Sequence, residues 1–267
     1  PGDSVAEEPS SVTSVFYMLS PDDDIFCGRL EDQALNRPLY VRGSSIKPLE
    51  KTVGIVGTRH ASSYGLKVAY ELGKYYAGEG YVVISGLAYG IDQKSHEGAL
   101  EKGTTVGVLG HGLDFHYPKS TLPLRKSIEE KGFVITWYNH EQGPRKAFFR
   151  ERNWLIAALS DFIVVVEAPM KSGALITANF ALQMGKEVKA VPGDIDRDSS
   201  AGSNMLIFEG AEPILAIPKD ADDQYKSCRT VQDLVAAVGS LVEAGQLITK
   251  WQSTGKVILE GEIIHWV

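Results

Sequence analysis

The sequence predicts an α/β fold: a doubly wound, mostly parallel sheet over residues 37–217, followed by a small C-terminal appendage. Three observations carry this. Short runs rich in β-branched residues alternate with amphipathic stretches between residues 53 and 191. The runs are apolar throughout, as strands covered on both faces are. Most of them stop at a glycine or a small polar residue, where a strand hands over to a helix.

In chain order, residues 53–56 read as a buried strand ending at Gly57, 64–77 as a helix, 81–84 as a strand ending in Ser85-Gly86, and 92–102 as a helix. Residues 105–109 form a strand closed by Gly110, 123–131 a helix and 133–137 a strand. Residues 152–159 are helical, 162–166 a strand, 175–184 a helix and 187–191 the last strand. Ahead of this body, residues 1–36 are acidic and rich in Ser and Pro, a mostly flexible lead-in in which 15–19 forms one short helix or strand. Behind it, residues 218–229 read as a linker. Residues 231–244 then show helical periodicity closed by Gly245, and 246–250, 256–259 and 263–267 read as short strands. One helix with a β-ribbon, over 230–267, is too little for an independent core and resembles part of a winged-helix module.

The 267 residues carry a net charge of −7, unpromising for a partner of nucleic acid. The distribution of that charge points the other way: residues 1–36 hold a net −7, residues 37–218 a net +2 and residues 219–267 a net −2. Because screening acts over ~8 Å, the local patch decides. Cys27 and Cys228 lie far apart without metal-ligand spacing, which excludes a disulfide scaffold and fits a reducing, cytoplasmic setting. No apolar run approaches the ~18–20 residues of a membrane span. The start lacks a basic or apolar leader, so no secretory signal is expected.

In an open parallel sheet, ligands collect beyond the carboxyl ends of the strands. The first such loop, Gly57-Thr-Arg-His-Ala-Ser-Ser-Tyr-Gly65, offers Ser62 or Ser63 as a helix cap and sets Arg59 beside free N–H groups, an anion-ready start. It lacks the glycine spacing and the later acid of a dinucleotide fingerprint. The second, Ser85-Gly-Leu-Ala-Tyr-Gly-Ile-Asp92, also reads as a plain tight turn with Asp92 as cap. The third, residues 110–119, holds His111, Asp114 and His116 but no further metal ligand, and no metal or other cofactor is expected. The fourth, residues 143–153, carries Arg145, Lys146, Arg150 and Arg152 against Glu151, with Phe148 and Phe149 between them. Cations for phosphates among rings for bases are what a single-strand site needs, although a solvated basic loop with both rings in the core gives the same composition. The fifth, Lys171-Ser-Gly-Ala-Leu-Ile-Thr177, is another anion-ready helix start.

Taken in order, these segments resemble the DNA-processing protein A family (DprA, also called Smf). Pro38-Leu-Tyr-Val-Arg-Gly43, Tyr117-Pro118, Arg152-Asn153, Val191-Pro-Gly193 and Gly202-Ser-Asn-Met-Leu-Ile with Glu209-Gly-Ala211 extend the match over roughly 37–217. The resemblance implies an extended Rossmann-like domain that binds single-stranded DNA, loads the RecA recombinase onto incoming DNA in natural transformation, and works as a homodimer. Carried over by position, its DNA-pocket residues fall on Arg59, Lys119, Lys146, Phe149, Asn153 and Lys171. The chain departs from the family pattern at Tyr89, Arg150 and Trp154, where Arg, Pro and Arg are usual.

The rival reading is a nucleotide-processing enzyme resembling the phosphoribohydrolases, which place a catalytic glutamate in a helix after a Pro-Gly-Gly loop. Here Gly173-Ala-Leu-Ile-Thr-Ala-Asn-Phe180 contains no acid to activate water, and a non-enzyme is expected. For assembly, Met205-Leu-Ile-Phe208 is apolar over four positions, more than one helix face buries. Leu206, Ile207 and Phe208 are therefore candidates for a dimer interface, against the reading that all four fill the core.

Overall fold

The computed structural model describes residues 16–30, 37–217, 225–253 and 256–267. The chain divides after Pro218 into two units. The strands of the first are β1 (Tyr17–Leu19), β2 (Leu39–Arg42), β3 (Thr52–Val56), β4 (Val82–Ser85), β5 (Thr105–Val108), β6 (Phe133–Thr136), β7 (Phe162–Val165), β8 (Glu187–Ala190) and β9 (Glu212–Pro213). Its helices are α1 (Ser63–Gly78), α2 (Ile91–Lys102), α3 (Leu122–Lys131), α4 (Lys146–Leu159), α5 (Gly173–Gln183) and α6 (Ala201–Phe208). Among the described residues the strands form one sheet in the order β1-β2-β6-β5-β4-β3-β7-β8-β9. It is parallel from β6 to β9, and β1 and β2 add antiparallel to one edge.

Alternation along the strands assigns the two faces. Ile163 and Val165 join a core with Leu155, Ile156 and Ala178 of α4 and α5, whereas Val164 joins Val68, Leu72 and Ala99 of α1 and α2. All five residues of β3 are buried, as a strand between two helical layers requires. β3 and β7 pair in parallel, and Asp161 Oδ2 accepts the Thr52 N–H at 2.8 Å across 109 residues of sequence. Chain order therefore reverses between these two strands.

Two expectations for the first unit need correction. β1 is the short element expected within residues 15–19, but the stretch that follows it to residue 30 is not a flexible lead-in: β1 pairs with β2, and Phe26 and Leu30 are fully buried in the sheet core. The acidic composition around them hid these anchors. The remaining residues assigned to the lead-in, 1–15 and 31–36, lie outside the described residues, as does 218–224 of the linker. Helix α4 begins at Lys146 rather than 152, so the basic, aromatic segment is its first two turns and not a loop.

In the second unit, α7 (Val231–Val238) and α8 (Leu241–Ser253) meet at a 119° bend and are followed by the hairpin of β10 (Val257–Glu260) and β11 (Ile263–Trp266). Thr230 and Asp233 cap α7 reciprocally. The helix ends at Gly239, which takes the left-handed conformation at φ +78°; Gly245 lies inside α8, and residues 246–250 are helical rather than a strand. The unit has a core of its own around the fully buried Trp251, with Cys228, Leu234, Ile248 and Ile264, so the expectation of too little core fails. No single helix among the described residues is long and apolar enough to cross a membrane.

Candidate functional site

A cavity of about 380 Å³ opens beyond the carboxyl ends of β3 and β7. The two loops leave these strands toward opposite halves of the sheet, and the crevice between them is where open α/β sheets receive ligands. The loop after β3 contributes Thr58, Arg59 and His60, the start of α4 contributes Phe149, Arg150 and Asn153, and the turn into α5 contributes Lys171 to Gly173.

The Arg59 loop is held from below by one residue. The backbone oxygen of Glu167 accepts the Thr58 N–H at 2.7 Å, and its Oε2 accepts both the Ser62 N–H (3.0 Å) and the Ser62 hydroxyl (2.8 Å). Ser62 Oγ in turn accepts the Gly65 N–H and caps α1, which settles the choice between Ser62 and Ser63. Glu167 is buried at the end of β7 and thereby fixes both ends of the loop. The β4–α2 loop braces it from the side. Gly90 has φ +90°, and a Cβ there would lie 2.5 Å from Thr58 O, so only glycine allows the two backbones to approach so closely.

Beneath the cavity two ionisable side chains are buried. Arg152, 4 % exposed, donates from Nη1 to Val108 O at 2.7 Å. Burial lowers its pKa to about 10, opposed by the charge of Asp92, so the guanidinium stays cationic at neutral pH. Burial raises the pKa of Asp92, opposed mainly by Arg152. Asp92 accepts the Gly86 N–H at 3.2 Å instead of capping α2, whose N-cap is Gly90. A side chain at Gly86 would collide with the Arg152 guanidinium, which explains the glycine at that strand end.

On the lip, the exposed Arg59 places its Cζ 5.6 Å from the Phe149 ring centroid, and Tyr117 packs on the same ring at 5.4 Å. Phe149 is half-buried, neither free nor in the core. Asn153 Nδ2 donates to Gly173 O at 3.1 Å and ties α4 to the start of α5. Ser172 Oγ accepts the Ala174 N–H, and the α5 dipole directs partial positive charge at the cavity beside Lys171. A cation, a helix start and a ring thus meet within one crevice, the groups that phosphates and bases require.

Of the residues expected from sequence, Arg59, Phe149, Asn153 and Lys171 line the cavity. Lys119 and Lys146 are exposed and stand outside the lining: Lys146 opens α4 one turn before Phe149, and Lys119 follows Tyr117 by two residues. The sequence reading missed His60 and Glu167. Glu167 is a polar residue at a strand's carboxyl end, and that position was the signal. The histidine loop is occupied with its own contacts, since Asp114 pairs with Arg42 at 2.8 Å and His111 Nδ1 lies 2.9 Å from Gly112 O. Among the described residues no group of three His, Cys, Asp or Glu could hold a metal.

In α6, Leu206 is 5 % exposed and belongs to the sheet core, which removes it from the interface candidates. Ile207 packs half-buried against the same core, and Phe208 is 84 % exposed.

The family model described as DNA recombination-mediator protein A matches residues 18–227. The DNA processing protein DprA of Bacillus subtilis is 39% identical over 165 residues, 61% of this chain and 56% of that protein. DprA of Streptococcus pneumoniae is 40% identical over 161 residues, 60% of this chain and 57% of that protein. The chain thus spans about half the length of the curated relatives it matches. Among solved structures, S. pneumoniae DprA superposes with a TM-score of 0.69 at 35% identity, covering 74% of this chain and 71% of that one. Helicobacter pylori DprA, whose single-stranded DNA binding mode that structure concerns, gives 0.67 at 30% identity, covering 76% and 92%.

Proposed function

The chain belongs to the DNA recombination-mediator protein A family, and from that membership we propose that its sheet domain binds single-stranded DNA, without sequence preference, in the cavity at the β3–β7 switch. The observation that carries the reading is the Arg59 guanidinium poised over the Phe149 ring at the cavity lip, a phosphate ligand and a base platform at one place. Arg152 beneath, the α5 start and Lys171 add positive potential, and Lys119 and Lys146 extend it outward as a phosphate track. The single-stranded DNA binding of the H. pylori relative, at 30% identity over 92% of its chain, supports the same ligand here.

The finer role follows the family. The domain works as a homodimer through the α6 surface around Phe208, hands bound strands to the RecA recombinase, and acts in the cytoplasm as a binding protein rather than an enzyme. The acid-free first turns of α5, where the rival phosphoribohydrolase reading needs a glutamate, support this last point. A titration of labelled single-stranded oligonucleotides across a salt series tests the reading. Affinity falls steeply with salt because each neutralised phosphate releases counterions, and the oligonucleotide is recovered intact. Absence of binding, or binding indifferent to salt, overturns it. RecA filament growth on strands precoated with a competing single-strand binder, with and without this chain, tests the loading role.

A further inference from the structure

Neighbouring residues on a helix point about 100° apart, so Phe148 and Phe149 face different sides of α4. Phe149 faces the cavity. Phe148 faces a second cluster built from the chain just after β6. Its ring stacks on Tyr138 at 4.0 Å and 25°, and the Arg145 guanidinium lies 5.5 Å from its centroid. Next to it, Arg37 lies 5.8 Å over Trp137, whose ring meets Tyr138 edge-on at 6.2 Å. Two exposed arginines thus each hold a guanidinium over an aromatic ring, the same pairing that Arg59 and Phe149 make at the cavity lip. Among the described residues, Glu151 is the acid in contact with this cluster, and it is already engaged by the Tyr138 hydroxyl at 2.9 Å and by Arg37 at 3.7 Å.

We propose that this Arg37–Trp137 and Arg145–Phe148 cluster is a second single-stranded DNA contact, which takes the nucleotides that leave the central cavity across the first turn of α4. The inference rests on the proposed function, since the strand arrives from that cavity. Charge and chemistry favour this occupant. An exposed guanidinium above a ring supplies phosphate and base contacts together, and neither depends on sequence. On α4, the exposed Lys146 and Arg150, the latter lining the cavity, stand beside the patch and give a strand crossing the helix further cations to contact.

The test uses the full chain and oligothymidylates of increasing length at several salt concentrations, beginning with oligomers just long enough to fill the cavity. Arg37→Ala with Arg145→Ala is compared with Lys51→Ala plus Lys102→Ala, which removes the same charge from the opposite end of the sheet. The proposal expects the arginine pair variant to bind short oligomers as the parent does and to bind long ones about tenfold more weakly at low salt, with a salt slope smaller by about two. The lysine pair variant keeps parental binding at every length. Unchanged binding of long oligomers overturns the proposal. So does equal weakening at all lengths, which would place the arginines in the central site, and so does an equal effect of the lysine pair, which would reduce the arginines to general charge. If the parent binds no oligomer of any length, the proposed function itself fails and takes this contact with it.

Discussion

Phe149 is expected to stack on a base, and two substitutions probe this without removing a charge. Phe149→Ala deletes the ring. Gly110→Ala displaces it, because a Cβ at Gly110 would lie 2.8 Å from Phe149 Cδ1 and the ring has to give way. Stacking of one base on an aromatic side chain contributes ~1–3 kcal/mol. Against this stands the Arg59 contact at 5.6 Å, about 0.5–1 kcal/mol at an exposed site, which the free protein gives up when a base takes that face. The net loss for Phe149→Ala is therefore about 0.5–2 kcal/mol, a roughly 2- to 30-fold weaker Kd. Gly110→Ala should fall between the parent and Phe149→Ala. The salt slope stays parental in both, because a neutral ring releases no counterions. Fluorescence anisotropy of a labelled oligonucleotide at four salt concentrations reads Kd and slope together, and thermal melting checks the fold. Parental affinity in a folded Phe149→Ala protein would refute the stacking role.

Arg59→Ala lowers the salt slope by about one and weakens all sequences alike. Glu167→Ala reproduces that loss by releasing the Arg59 loop but adds little when Arg59 is already alanine; fully additive effects in this double-mutant cycle would reject Glu167 as the loop's anchor. His96 is buried, and burial with the Arg152 charge holds its pKa down to about 3. The unfolded chain takes up this proton near pH 6.5 and the native state does not, so stability falls on acidification, by about 2 kcal/mol between pH 7 and 5. Denaturant melts of His96→Gln should flatten across that window, and an unchanged pH dependence counts against a neutral buried histidine. At the exposed Phe208, Phe208→Glu leaves the fold intact and converts a dimer into a 29.1 kDa monomer in light scattering, whereas a parent already monomeric at all concentrations ends the dimer claim.

From β3 to β8, apart from the start of α4, the alternating strands and helices were readable to within a residue or two, because a parallel sheet writes itself as uninterrupted β-branched runs; β2 and β9 were not read. Helix starts were less legible. The first turns of α4 lack a capping side chain, with Arg145 at the N-cap, so the basic segment looked like a loop. In the second unit two glycines competed as the stop signal, and only the backbone shows that Gly239 is left-handed while Gly245 continues its helix. Arg59 and Lys171 stood out in loops at strand ends, where function concentrates, and Phe149 in a run of cations and rings, whereas Asn153 was named by the family resemblance alone. Glu167 extends an apolar strand and gives no periodic signal, and the division of α6 into a buried Leu206 and an exposed Phe208 depends on how the helix rests on the sheet. Phe26 and Leu30 lie among acids whose average concealed two core side chains.

The pairing of β3 with β7 has a consequence for the newborn protein. The cavity needs both strands, yet Thr52 and Asp161, joined at their entry, are separated by 109 residues. At a synthesis rate of about 5–20 residues per second, the ribosome takes roughly 5 to 20 s to deliver the second strand after the first. During that interval β3 to β6 can already associate, while the inner edge of β3 remains unpaired and the Arg59 loop lacks the Glu167 that anchors it. A chain interrupted before β7 thus carries most of the sheet's apolar strands and none of the finished cavity, the form of this protein most exposed to strand-to-strand aggregation.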